Sequence, residues 1–188
     1  KLIEAAAATQ PDGIIVSLPD AAALGPAIKA AVSDGVPVIT INSGLESSAE
    51  LGALMHVGQP ERLAGEKAGQ RAAAEGVTNG LCLNQESFNT ALVDRCTGYF
   101  DGIGGDLNMI DVSNDPTQIE TRTAAALQAD ESINGVLAVG PHVCEAATKA
   151  IEAVGADVHL ACFDLSPGVM DMILDGRAAF TIDQQQRL

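Results

Sequence analysis

The chain has 188 residues, enough for one sizeable core or two small ones, and its 47% apolar and 19% charged content is that of a folded globular protein. Its 25 acidic residues outnumber 10 basic ones, and a formal net charge of −15 repels a phosphate backbone, which argues against nucleic acid as a partner. No apolar run approaches the roughly 20 residues that a membrane-crossing helix needs, and the first residues lack the basic-then-apolar plan of a secretion signal.

The chain opens in an Ala-rich stretch, residues 2–9, that reads as the tail of a helix, so its start is expected to be truncated. Pro11, Asp12 and Gly13 then turn the chain into the apolar run Ile14, Ile15, Val16. From here short continuous apolar runs alternate with longer stretches of helical spacing, the pattern of parallel strands buried on both faces by crossover helices. Strands are predicted over residues 13–17, 36–41, 54–58, 80–83, 107–112, 135–139, 158–163 and 178–182, enough for two sheets. Pro26 is expected at a first helical position with Gly35 as its C-terminal stop, and Pro60 and Gly76 bracket the next helix. Leu92, Cys96, Tyr99, Phe100 and Ile103 recur at three- and four-residue spacing, which predicts an amphipathic helix over 90–103. The glycines at 102, 104 and 105 read as its exit. Ser166 followed by Pro167 is an N-cap with proline at the first helical position, and Gly176 ends that helix.

The cysteines at 82, 96, 144 and 162 form no CxxC pair and have no histidine at zinc-ligand spacing, so no metal site and no cofactor are expected. A Cys82/Cys96 or Cys144/Cys162 disulfide fits an oxidising compartment, while free cysteines fit an Ala-rich core as small apolar residues. The sequence leaves both readings open. His56, His142 and His159 are scattered and read as structural. With no GxSxG, phosphate loop or dinucleotide-binding glycine pattern, nothing anchors a catalytic mechanism, and the chain is read as a non-enzyme.

Right-handed crossovers bring all strand ends of a sheet to one edge, where open parallel sheets bind ligands. At or just after the strands stand Ser17, Asn42, Gln59, Asn84 to Glu86, Asn114, Gly140, Asp164 and Gln184, nearly all hydrogen-bonding groups. Loops favour polar residues in any case. It is the recurrence across most strands that points to a ligand with several hydroxyls, because Asn and Gln donate and accept together while Asp accepts twice. Arg95, one turn beyond Leu92, either reaches ligand oxygens or makes a surface or interlobe ion pair. Asp164, at the tip of a buried strand, calls for a partner such as a ligand hydroxyl or Arg95.

Several stretches resemble the ribose/galactose-type periplasmic sugar-binding proteins of ABC transporters, whose two-lobed fold is shared with LacI-type repressor cores. They are DGIIV (12–16), GVPVITIN (35–42), VGQ (57–59) with Ala64 and Gly65, Arg95 with Gly98, CFD (162–164) and FTIDQ (180–184). The resemblance covers the whole chain. It implies an α/β protein of two doubly wound parallel-sheet lobes (type I periplasmic binding protein-like), truncated at both ends, with residues 1–59 and 185–188 in the first lobe and 60–184 in the second. It also implies a small sugar or polyol captured between the lobes for uptake, contacted by Ser17, Asn42, Arg95, Asn114, Gly140, Asp164 and Gln184, with Glu86 and Asn89 in a neighbouring loop. Further implications are an ABC-transporter permease as partner, a monomer, and a periplasmic or lipid-anchored extracellular location. Where relatives binding ribose-like sugars show Asp-Arg and Asn-Asp, this chain has Asn42-Ser43 and Gly140-Pro141. Phe88 and Phe163 are the aromatics nearest the expected cleft. The competing assignment is the effector-binding core of a LacI-type regulator, against which the segment 178–184 favours the transporter branch.

Overall fold

A computed structural model describes residues 1–185. The chain divides into two compact units, residues 1–60 together with 88–91, and residues 61–87 together with the chain from Leu92 onward. Residues 88–91, expected in the second lobe, group with the first unit because the Thr90 amide donates to Pro19 O (3.0 Å) and Ser43 Oγ donates to Asn89 Oδ1 (3.3 Å). Gln185, expected in the first lobe, groups with the second unit, and the rest of the expected return, 186–188, lies outside the described residues.

In the first unit, β1 (Ile14–Ser17), β2 (Val38–Ile41) and β3 (Met55–Val57) form a parallel sheet in that order. Helix α1 (Leu2–Ala8) and α2 (Ala21–Ser33) contribute Ile3, Ala7, Ile28 and Ala31 to a core with Leu18 and Val38, and a short α3 (Leu45–Ser48) runs into a 3₁₀ turn at Ala49–Leu51. Pro26, expected at a first helical position, instead lies inside α2. Asp20 is the reason: its carboxylate accepts from the Ala23 amide at 2.9 Å and starts the helix at Ala21, which puts Pro26 beyond the first turn, where it has no N–H to give the Ala22 carbonyl. Gly35, at φ +84°, takes up the left-handed stop expected of it. The other sheet face is apolar and open, with Ile15 70%, Met55 54% and Val57 54% exposed.

The second unit is wound on both faces. Its parallel sheet has the order β5-β4-β6-β7-β8, made of β4 (Gly80–Asn84), β5 (Met109–Asp111), β6 (Gly135–Ala138), β7 (His159–Phe163) and β8 (Phe180–Ile182). Helices α4 (Glu61–Ala74) and α5 (Thr90–Ile103) pack on one face through Ala68, Ala72, Leu92, Cys96 and Tyr99. The other face is covered by α6 (Pro116–Ala129), α7 (Pro141–Val154) and α8 (Pro167–Leu174) through Ile119, Leu127, Val143, Ala147, Val169 and Met172. Helix α8 starts as its sequence predicts, with Ser166 Oγ accepting from the Val169 amide at 3.0 Å. The two readings of the cysteines are resolved by disulfides Cys82–Cys96 and Cys144–Cys162, one on each face of this sheet, each tying a strand to the helix above it. Helices α4 and α5 cross at backbone contact: a β-carbon on Gly69 would overlap the Tyr99 carbonyl, and one on Gly98 the Arg62 carbonyl.

Candidate functional site: two polar strand edges

In the second unit the carboxyl edge of the sheet carries Glu86, Arg95, Asn114, Gly140, Asp164 and Gln184. Asp164 follows β7 at φ +65°, a left-handed conformation that Asp tolerates better than most residues. Three contacts hold it: its amide donates to Ile182 O (2.8 Å), its carbonyl accepts from Thr181 Oγ1 (2.7 Å), and Gln184 Nε2 donates to Oδ1. Arg95 Nη1 lies 3.5 Å from the other carboxylate oxygen, and Asp164 keeps 32% of its side chain open to solvent. Arg95, Asp164 and Gln184 are thus one connected group, drawn from α5, the end of β7 and the segment after β8.

Arg95 itself is only 3% exposed. Its Nε and Nη2 donate to the two oxygens of Glu61 at 2.7 and 3.1 Å, Nη1 donates to Val139 O at 2.9 Å, and its guanidinium carbon sits 4.5 Å from the centre of the Phe163 ring. The ion pair expected as one alternative is present but is neither on the surface nor between lobes: Arg95 is the cation of a buried two-pronged pair inside the second unit, and it borders the polar edge through Asp164. Glu61, 6% exposed, is the partner that sequence reading missed. Its one local signal is an acidic residue at the start of α4, where the helix dipole favours it, and nothing links it to a cation 34 residues away. Phe163 is a core residue under that guanidinium, whereas Phe88 is 61% exposed.

A second group lies at the ends of β4, β5 and β6. Asn84, fully buried, accepts the Glu86 amide on Oδ1 at 2.8 Å and so bends the chain out of β4. Asn114 Nδ2 donates to Glu86 Oε1 at 3.4 Å, and His142 Nε2 is 3.1 Å from Asn114 Oδ1. The carboxylate can only accept, so the amide must present its NH₂ to Glu86 and its oxygen to His142, whose Nε2 therefore carries a proton. Gly140, buried, is the N-cap residue of α7, and its carbonyl accepts the Cys144 amide at 3.0 Å. His142, read as merely structural from the sequence, belongs to this edge.

In the first unit, Ser17 ends β1 in register with Ile41, and Asn42 follows β2 at φ +62°. The Asn42 amide donates to Val57 O (2.9 Å), and its side chain donates to Ser43 Oγ at 3.5 Å. Ser43, 1% exposed, donates in turn to Asn89 Oδ1, which also accepts the Ala91 amide at 3.2 Å. Beneath this edge Thr40, fully buried, donates to Ser48 Oγ at 2.7 Å and lies 2.9 Å from His56 Nδ1. The structure brings Asn42 and Asn89 together through Ser43, which sequence reading noted only as a departure from the ribose-type pattern.

Chemically, the first edge offers neutral amides and hydroxyls, and the second adds the carboxylate oxygens of Glu86 and Asp164. That composition matches neutral polyhydroxylated molecules, which need donors and acceptors side by side.

The family model of the periplasmic binding protein domain matches residues 1–188. A carbohydrate transporter of Acidothermus cellulolyticus, solved in complex with myo-inositol, is 38% identical with a TM-score of 0.93; the match covers 98% of this chain and 65% of that protein. A periplasmic sugar-binding protein of Legionella pneumophila shares the fold at 22% identity and a TM-score of 0.88, covering 98% of this chain and 71% of its own. So does an ABC-transporter solute-binding protein of Actinobacillus succinogenes with bound D-allose, at 23% identity, a TM-score of 0.81 and coverage of 98% and 70%. No curated protein matches the chain. With the family model matched from the first residue to the last, over two wound parallel sheets, the chain belongs to the periplasmic binding protein domain family.

Proposed function

We propose that this chain is the ligand-recognising part of a solute-binding protein that captures a small sugar or polyol, with a cyclic polyol such as myo-inositol as the leading candidate, for uptake by an ABC-transporter permease. The observation that carries the reading is the connected group Arg95–Asp164–Gln184. A carboxylate one-third open to solvent is aimed and held by an arginine and an amide, and keeps lone pairs free for ligand hydroxyls. The 38% identity to a protein holding myo-inositol favours the cyclic polyol among ligands of this type. Ser17, Asn42, Glu86, Asn89, Asn114 and Gly140 complete the set of ligand contacts. The protein works as a binding module rather than an enzyme, as a monomer, in the periplasm or anchored outside the membrane.

Specificity follows from desolvation. A ligand lacking one hydroxyl leaves a protein group unpaired, at a cost of about 1–3 kcal/mol. The test is a thermal-shift and calorimetric panel of myo-inositol, D-allose, D-arabinose and D-xylose on the full-length protein, with Asp164→Asn beside the wild type. Asn keeps the shape and tolerates the left-handed backbone at 164, so its expected loss of more than tenfold in affinity reports on the carboxylate. A wild-type protein that binds none of these polyols and sugars would overturn the reading.

A further inference from the structure

The strand order of the second sheet reverses at β4: the chain moves from β4 to β5 on one side and then returns past β4 to β6 on the other. Wound sheets take their ligands beyond the carboxyl ends of the strands at such a reversal. Three polar residues stand there, Glu86 beyond β4, Asn114 beyond β5 and His142 beyond β6. Strands β5 and β6 are not neighbours, since β4 lies between them, yet His142 Nε2 comes within 3.1 Å of Asn114 Oδ1. Side chains therefore join two strand ends that no backbone ladder joins.

The turns that carry these residues are held by their own hydrogen bonds. Asn84 Oδ1 accepts the Glu86 amide at 2.8 Å, Asp111 Oδ1 accepts the Ser113 amide at 2.9 Å, and Ser113 Oγ accepts the Asp115 amide at 3.1 Å. His142 is the second residue of α7, after the Gly140 cap and Pro141. Asn114, by contrast, has an exposed side chain, and a carboxamide left to itself turns over about its last torsion. Here only one direction satisfies both neighbours. The Glu86 carboxylate only accepts, so it takes a hydrogen bond from Nδ2 at 3.4 Å, and Oδ1 receives the His142 Nε2 proton. Turned over, the amide would set its oxygen against the Glu86 carboxylate. In the direction it holds, Nδ2 keeps a second N–H to offer to an oxygen outside the protein.

From this we infer that His142 is a positioning residue: by donating to Asn114 across the end of β4, it holds the carboxamide in the direction that offers an N–H to a ligand hydroxyl. The inference rests on the reading of this edge as a sugar or polyol site, and it adds a residue that acts through Asn114 instead of touching the ligand. An amide ordered in advance gives up less freedom on binding, and the gain appears as affinity.

The test is calorimetric titration of the full-length protein with the tightest binder among myo-inositol, D-allose, D-arabinose and D-xylose, for wild type and three variants. In His142→Gln the amide nitrogen stands as many bonds from the backbone as Nε2 and still donates. His142→Leu removes the donor, and His142→Glu leaves Asn114 between two carboxylates, which no direction of the amide satisfies. His142 is exposed, so none of the three disturbs the core. Gln is expected to bind within about twofold of wild type, Leu about three- to tenfold more weakly, and Glu more weakly still. With Asn114 already replaced by alanine, His142→Leu is expected to cost nothing further. In the unliganded wild type, NMR of the ring nitrogens is expected to find the neutral His142 protonated on Nε2. A Leu variant that binds like wild type, a Gln variant as weak as Leu, a full Leu effect in the Asn114→Ala background, or a ring protonated on Nδ1 would overturn the positioning role and leave the parent function standing. A wild type that binds nothing in the panel would overturn both.

Discussion

The two units share one building plan and differ in how it is held. The second sheet is buried on both faces and carries two disulfides, a buried Arg95–Glu61 pair and a glycine-to-backbone helix crossing. The first has three strands, no cysteine, and one sheet face on which Ile15, Met55 and Val57 stand exposed. Parallel sheets are ordinarily covered on both sides, so the first unit relies on one packed face and on side-chain hydrogen bonds such as Thr40 to Ser48. The polar edges inherit this difference. In the second unit Asp164 is aimed by groups rooted in a closed core; in the first, Asn42 and Asn89 are joined through the buried Ser43 hydroxyl.

The sharpest way to break the comparison is Arg95→Ala. The substitution strands the Glu61 carboxylate at 6% exposure and removes the donor to Val139 O, and the expected cost is about 3–5 kcal/mol in urea unfolding. The loss should concentrate in the second unit, with hydrogen-exchange protection falling along β4, β6 and β7 while β1 and β2 keep theirs. This substitution is therefore a poor probe of ligand contact, since weakened binding would follow from either role of the arginine. Equal loss of protection in both units would contradict the assignment of the pair to one core.

Reduction of the disulfides comes next. Each closes a short loop, with sequence separations of 14 and 18, for which the chain-entropy model gives about 3 kcal/mol per bond. Added reductant should lower the urea midpoint of the second unit and leave exchange in β1–β3 unchanged, because the first unit holds no cysteine to respond. Thiol titration of the unfolded, unreduced protein is expected to find none of the four cysteines free.

Much of this architecture is readable in advance, and the exceptions have physical causes. All eight strands of the described residues fall where short apolar runs meet Gly, Pro and Asn. The three-residue strands β3, β5 and β8 are shorter than their apolar runs predict, and each is an edge strand whose ladder is paired on one side only. Pro26 misleads because a proline mid-helix and a proline at the first position look alike until Asp20 is recognised as the cap. The polar edge is legible as a set of positions, since parallel strands must end together. Its wiring is not: Glu61 finds Arg95, and Asn114 finds His142, only through the third dimension.

The smallest expected effect compares one glycine in each unit. Gly69 on α4 faces backbone: a methyl there meets the Tyr99 carbonyl and the Gly102 Cα, neither of which can rotate away, so Gly69→Ala must push α4 off α5. Gly25 on α2 faces the tip of a side chain, Leu51 Cδ2 at 3.0 Å, which can change rotamer. Helix propensity favours alanine by up to about 1 kcal/mol, a gain reduced at Gly25 because Pro26 crowds a preceding β-carbon, so the sign of each result depends on what the methyl meets. Gly69→Ala is expected to destabilise by about 1–2 kcal/mol net, overpacking outweighing propensity, and Gly25→Ala to fall within about 0.5 kcal/mol of wild type. Urea midpoints for the two variants decide it, and a Gly69→Ala protein as stable as Gly25→Ala would mean that the helix crossing in the second unit has slack that the rigid-core account denies it.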